Sequence, residues 1–325
     1  MNPKKIAVVG AGQLGSRHLQ ALSLIEQPIE IWVVDPENSS LTRAKDRWEQ
    51  TKPASNKSIH FESSMSALPK RLDSAIVATS AGPRFQVTSQ LLKETTVDFL
   101  VLEKILFPRL SEYEQMAKIL RDRTQGTWVN CSFRMIPFYK RLKDQGPVKA
   151  LDSWVTGSSI RLASNLIHHL DLISFLTDDT SFELDFSGMN QELTPSKRAG
   201  YCDWEGVISV RYKNGSQHIH RSWNEGQLPM TVNLSHPRLH FIHRTNQNLI
   251  SSATPETEWK WKEEMIPFPM QSTMTAEICT GLLNGGNCPL TRYEESARLH
   301  TQMIDQMLKE LNKRKLHSAD ELPFT

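Results

Sequence analysis

Gly10, Gly12 and Gly15 stand in a Gly-x-Gly-x-x-Gly spacing directly after the apolar run Ile6–Val9. An unbroken apolar run of this length has the pattern of a strand buried on both faces. Leu14, Leu19, Leu22 and Ile25 then recur at roughly helical spacing. Strand, glycine turn and helix in that order make a phosphate-binding unit. Gly10 permits the tight turn, Gly12 lets the backbone approach a pyrophosphate, and Gly15 lets the helix pack on the strand. The first helical residues, Gln13 and Leu14 among them, bring amide groups towards the phosphates.

Asp35 closes a second apolar run, Ile31–Val34, twenty positions after Gly15. A carboxylate there accepts hydrogen bonds from both hydroxyls of an adenosine ribose and repels a 2′-phosphate. The next residues, Pro36 and Glu37, offer no cation to such a phosphate. The expected cofactor is therefore NAD(H) in preference to NADP(H).

Two more buried runs, Ser74–Ala78 and Phe99–Leu102, flank a helix-like stretch from Phe85 to Glu94. Strands alternating with helices argue for parallel βαβ units, and right-handed crossovers make these a doubly wound sheet. The rhythm changes after Trp128. From Val207 to Trp223 two alternating runs flank Asn214-Gly215, a hairpin signal. Met230–Leu234, Leu239–His243 and Glu258–Lys262 read as further strands. Thr291 and Glu294 form a capping-box pattern ahead of a closing helix. The expectation is an α/β Rossmann domain over 1–126, then an α+β domain over 127–325 with an open, mainly antiparallel sheet.

Charge and composition exclude several classes. A net charge of +2 with no long basic run gives nucleic acid no electrostatic footprint. No segment approaches the ~18 apolar residues of a membrane span. The four cysteines form no CxxC pair, as in a reducing compartment, and a cytoplasmic location is expected. His218 and His220 share a strand face but lack acidic or thiol companions, so no metal site is expected.

Several segments together resemble the glucose–fructose oxidoreductase, inositol dehydrogenase and rhizopine-catabolism (Gfo/Idh/MocA) family. They are the Ile6–His18 loop, Ala75–Ser80, Glu103-Lys104, His168 with Asp171, and Leu290–His300. Two positions depart from the pattern. The proline that usually follows the lysine is Ile105, and the Asp that many members place four residues before the histidine is Ser164. The resemblance implies an NAD-binding N-terminal domain with Thr79, Ser80 and Glu103 beside the cofactor. It implies a C-terminal sheet whose face forms a homodimer or homotetramer. The usual reaction is hydride transfer at a carbon of a sugar, cyclitol or sugar derivative.

Lys104 ends a buried run, at the edge where open parallel sheets bind ligands. An ammonium there could stabilise a substrate oxygen as hydride moves. His168 shares a helical face with Asp171 and Phe175, and the resemblance selects it over His169 as the acid/base group. Ser164 and Asn165 precede it by one turn, placed to orient the imidazole or contact a substrate hydroxyl. Arg134 fits equally a clamp on an anionic ligand group and an interdomain salt bridge. Two other readings stay open: a non-catalytic NAD-binding sensor or corepressor, and a glycosidase or epimerase that oxidises its substrate transiently.

Overall fold

The computed structural model describes residues 2–266 and 270–325. These divide into two units, residues 2–132 with 270–297, and residues 133–266 with 298–325.

The first unit holds strands β1 (Lys4–Val9), β2 (Ile29–Val34), β3 (Lys57–Glu62), β4 (Arg71–Val77), β5 (Thr96–Leu102) and β6 (Gly126–Val129), the four apolar runs falling in β1, β2, β4 and β5. They pair in parallel in the order β6-β5-β4-β1-β2-β3, and the short strand Thr291–Arg292 adds antiparallel beyond β6. Helices α1 (Gly15–Leu22), α2 (Asn38–Gln50), α3 (Ala81–Glu94) and α4 (Leu110–Arg123) connect them. Ile6, Val8, Ile31, Val33, Ala75, Ile76 and Leu100 are buried, each large aliphatic side chain contributing about 1.5–3 kcal/mol. The order reverses between β1 and β4, which places a ligand crevice at their carboxyl ends.

The second unit holds β7 (Asp152–Ser158), β8 (Phe182–Met189), the short pair β9 (Thr194–Pro195) and β10 (Cys202–Asp203), then β11 (Gly206–Tyr212), β12 (Gln217–Trp223), β13 (Thr231–His236), β14 (Leu239–Arg244), β15 (Leu249–Ala253) and β16 (Lys262–Met265). Eight of these form one sheet in the order β16-β15-β14-β13-β7-β12-β11-β8. Every pair is antiparallel except β7 with β12. Helices α5 (Pro137–Asp144) and α6 (Leu162–Thr177) cover one face, burying Tyr139, Leu172 and Leu176 with Val155, Leu234 and Phe241. Trp154 and Trp223 stand exposed on the other face.

The predicted hairpin is present, with Gly215 at φ +88 in the turn between β11 and β12. Three details differ from the sequence reading. The edge strand β3 was not expected, because its residues are mostly half-buried and its apolar content is low. The run Glu258–Lys262 is not a strand: Glu258 and Trp259 take positive φ, and pairing starts only at Lys262. The single cut expected after residue 126 falls at the start of β6, inside the first sheet, and residues 270–297 return to that unit.

Candidate active site

The glycine loop meets the requirements that its spacing implied. Gly10 sits at φ +92, and a Cβ there would fall 2.9 Å from the Thr79 nitrogen. A Cβ on Gly15 would lie 1.7 Å from the Gly10 carbonyl oxygen, so the helix–strand contact tolerates no side chain. A Cβ on Gly12 would meet nothing within 4 Å, which leaves open space where the backbone can receive a pyrophosphate. The Gln13 side chain is gripped by Arg47 of α2, whose guanidinium donates to Gln13 Oε1 at 2.6 Å and to its carbonyl at 3.0 Å. Leu14 is half-buried just before α1. Asp35 accepts the Ala11 amide at 2.6 Å and the Glu37 amide at 2.9 Å, tying the end of β2 to the loop. These features fit a dinucleotide.

Thr79 and Ser80 form the half-buried turn from β4 into α3, packed against Gly10. At the end of β5, Glu103 is 3% exposed and its Oε1 accepts from His18 Nε2 at 2.8 Å and Asn130 Nδ2 at 2.6 Å. Burial pushes this carboxyl up, but the His18 and Asn130 bonds outweigh it and hold it below the usual carboxylate range. His18 Nδ1 reaches Thr275 Oγ1 at 2.8 Å, and Gln271 bonds both Thr275 and Asn130. Glu103 Oε1 is therefore part of an internal network that joins the end of β5 to α1.

Lys104 follows, half-buried at the carboxyl edge of the sheet. The Lys104–Ile105 peptide is cis, although Ile stands where the family's pattern has proline. The loop is held from two helices. The Arg84 guanidinium of α3 donates to the carbonyls of Thr79, Ile105 and Leu106, the last at 2.9 Å. Tyr113 of α4 exchanges hydrogen bonds with Phe107 through its hydroxyl.

In the second unit, His168 lies half-buried on α6, its ring stacked on Phe133 at 4.7 Å. The companions expected of it are otherwise engaged. Ser164 Oγ donates to Asp203 Oδ2 at 2.5 Å, and Oδ1 of Asp203 accepts the Ala163 and Ser164 amides. Asp203 thus caps α6 from β10, because Arg161 at the start of the helix has no capping side chain. Burial lifts the Asp203 carboxyl above its ordinary range despite these bonds. Asn165 donates from Nδ2 to the Ile160 carbonyl at 2.9 Å, bracing the helix start. Arg134 forms a bidentate pair with buried Asp171 at 2.8 Å, a salt bridge within this unit.

Beneath α6 the sequence reading missed a cluster. His218 and His220 are buried on the inner face of β12, with ring centroids 5.4 Å and 4.8 Å from His169. Burial pushes His169 down to about 3 and the other two well below the imidazole range, so all three are neutral. Among the described residues no group of His, Cys, Asp and Glu is arranged to hold a metal ion.

Arg84 and His18 were also missed. Arg84 lies at the spacing of the buried α3 residues Ala81, Thr88 and Leu91, a periodicity that marks it as inward-facing.

The fold and the loop define a dinucleotide-binding Rossmann unit in a chain with a second, α+β unit. Residues 4–131 match the model of the Gfo/Idh/MocA family, described as oxidoreductase family, NAD-binding Rossmann fold. UDP-N-acetylglucosamine 3-dehydrogenase from Acidithiobacillus ferrooxidans is 14% identical, with 94% of this chain and 97% of that chain covered at a TM-score of 0.69. An oxidoreductase from Agrobacterium radiobacter in complex with NAD+, L-tartaric acid and magnesium is 13% identical, with coverage of 93% and 94% and a TM-score of 0.68. The transcriptional regulator Gal80p from Kluyveromyces lactis is 14% identical, with coverage of 96% and 93% and a TM-score of 0.69. At such identities these likenesses establish the fold. No curated protein matches the chain in sequence. No described helix is long and apolar enough to cross a membrane.

Proposed function

We propose that this protein is an NAD(H)-dependent oxidoreductase of a polyhydroxylated substrate, a sugar, cyclitol or sugar derivative. The observation that carries the reading is Lys104, fixed at the carboxyl edge of the sheet that bears the glycine loop. The loop at Gly10, Gly12 and Gly15 holds the pyrophosphate, and Asp35 holds the adenosine ribose. When bound, NAD supplies the hydride acceptor or donor. Lys104 stabilises the substrate oxygen on which charge develops. His168 takes the hydroxyl proton in oxidation and returns it in reduction. The likeness to a sugar-nucleotide dehydrogenase supports this substrate class. The exposed sheet face around Trp154 is offered as the homodimer or homotetramer interface. Four free thiols accord with a cytoplasmic setting.

The test is NADH formation from NAD across a panel of sugars, cyclitols and sugar nucleotides. Turnover lost in both Lys104→Ala and His168→Ala supports the reading. Turnover unchanged in either variant removes that residue's role. Net NADH accumulation separates a dehydrogenase from an enzyme that oxidises its substrate transiently.

A second reading, an NAD-binding sensor without catalysis, is favoured by the likeness to a transcriptional regulator. The internal engagement of Ser164, Asn165 and Arg134 agrees with it. NAD binding with no turnover on any substrate decides for it.

A further inference from the structure

Arg84 is 1% exposed, and its guanidinium has three backbone partners on two different loops. One partner is the Thr79 carbonyl. Thr79 is also the residue against which Gly10 packs so closely that a Cβ would lie 2.9 Å from its nitrogen. The other two are the carbonyls of Ile105 and Leu106, the residues that follow Lys104. Lys104 is consequently flanked by two anchored neighbours. Glu103 is held by His18 and Asn130 on one side, and Ile105 by Arg84 on the other.

From this geometry we infer that Arg84 is a positioning residue, setting Lys104 in register with the cofactor loop by bridging the ends of β4 and β5. A planar fork with five donors can serve several carbonyls in fixed directions. The ammonium of a lysine, a point charge on a flexible stem, cannot reproduce that span. A second anchor on the same loop, Tyr113 of α4, grips Phe107 three residues beyond Lys104. The inference rests on the proposed role of Lys104, but its test does not require turnover.

The experiment uses the full chain with two readouts. NADH affinity is measured by fluorescence titration. The environment of Lys104 is read from the NMR titration of its reductively 13C-methylated amine, assigned by its loss in Lys104→Arg. In Arg84→Ala the NADH dissociation constant should rise about tenfold, the equivalent of one good charged hydrogen bond. The Lys104 titration midpoint should move with it. Millimolar guanidinium should return both towards wild type, and Arg84→Lys should behave like Arg84→Ala. A folded Arg84→Ala protein with wild-type NADH affinity and an unmoved Lys104 midpoint overturns the inference. So does guanidinium that raises thermal stability while changing neither readout. Should Arg84→Ala fail to fold, Arg84→Gln is measured in its place against the same two criteria. Failure of the catalytic reading is recognised separately, as unchanged turnover in Lys104→Ala.

Discussion

Glu103 Oε1 accepts the Nε2 hydrogen of His18 at 2.8 Å, joining the end of β5 to the first helix of the nucleotide loop. Both groups are withdrawn from water, so the pair is costly to break from one side. Glu103→Ala should lose about 3–5 kcal/mol, since His18 and Asn130 would each keep a buried group without its acceptor. Urea unfolding of the apoprotein measures this. A loss under about 1 kcal/mol would show that the network relaxes or hydrates freely. Because the Glu103 carboxyl sits below its usual range in the fold, its contribution is present above about pH 4.5 and disappears as pH falls through the folded value.

Asp35 is the residue expected to set cofactor choice. Asp35→Ala should weaken NADH binding roughly tenfold to a hundredfold, the range of one or two hydrogen bonds to a charged group. NADPH affinity should rise in the same variant, because the repulsion of a 2′-phosphate is gone. Parallel titrations of the two reduced cofactors decide it, and an unchanged NADH/NADPH ratio would contradict the assignment.

The buried histidines predict acid lability with a definite sign. Their folded pKa values are depressed, so between those values and 6.5 the unfolded chain binds more protons than the native protein. Stability is complete above about pH 6.5 and falls below it, by up to about 1.4 kcal/mol per pH unit for each histidine. Among the described residues neither ring nitrogen of His220 has a hydrogen-bond partner. His220→Leu should therefore be at least as stable at neutral pH and show a shallower decline below 6.5. Chemical denaturation at a series of pH values would reveal a parallel decline if the cluster is irrelevant.

Ser164 and Asp203 should behave as one unit. A double-mutant cycle with Ser164→Ala and Asp203→Ala is expected to give a coupling of about 1–3 kcal/mol in stability. Additive losses would mean that the 2.5 Å contact contributes nothing of its own.

What the sequence disclosed depended on how local the cause was. Gly10, Gly12, Gly15 and Asp35 were legible because the turn, the strand and the helix that they serve are adjacent in the chain. The β11–β12 hairpin was legible for the same reason, through Asn214-Gly215. Glu103 was legible as a motif but not as a contact, since His18 lies 85 positions away and Thr275 lies 257 positions from His18. Ser164 read as a partner for His168 because Asp203 reaches it from 39 positions further on. Arg134 offered two external partners to the eye and took a third, Asp171 in its own unit. Arg84 was hidden by residue type: an arginine in a helix is ordinarily solvated, and only its place on the α3 stripe shows otherwise.

The return of residues 270–297 to the first unit has a consequence for biosynthesis. The helix Gln271–Leu283 supplies Thr275 and Gln271 to the His18 network, and Thr291–Arg292 closes the open edge of β6. Domains commonly fold in order as they leave the ribosome. Here the nucleotide-binding half stays unfinished until residues 270–297 have emerged, after the whole sheet of the second unit has been made. A ribosome-stalled nascent chain that ends before residue 270 would carry an exposed β6 edge and a His18 whose Nδ1 lacks Thr275.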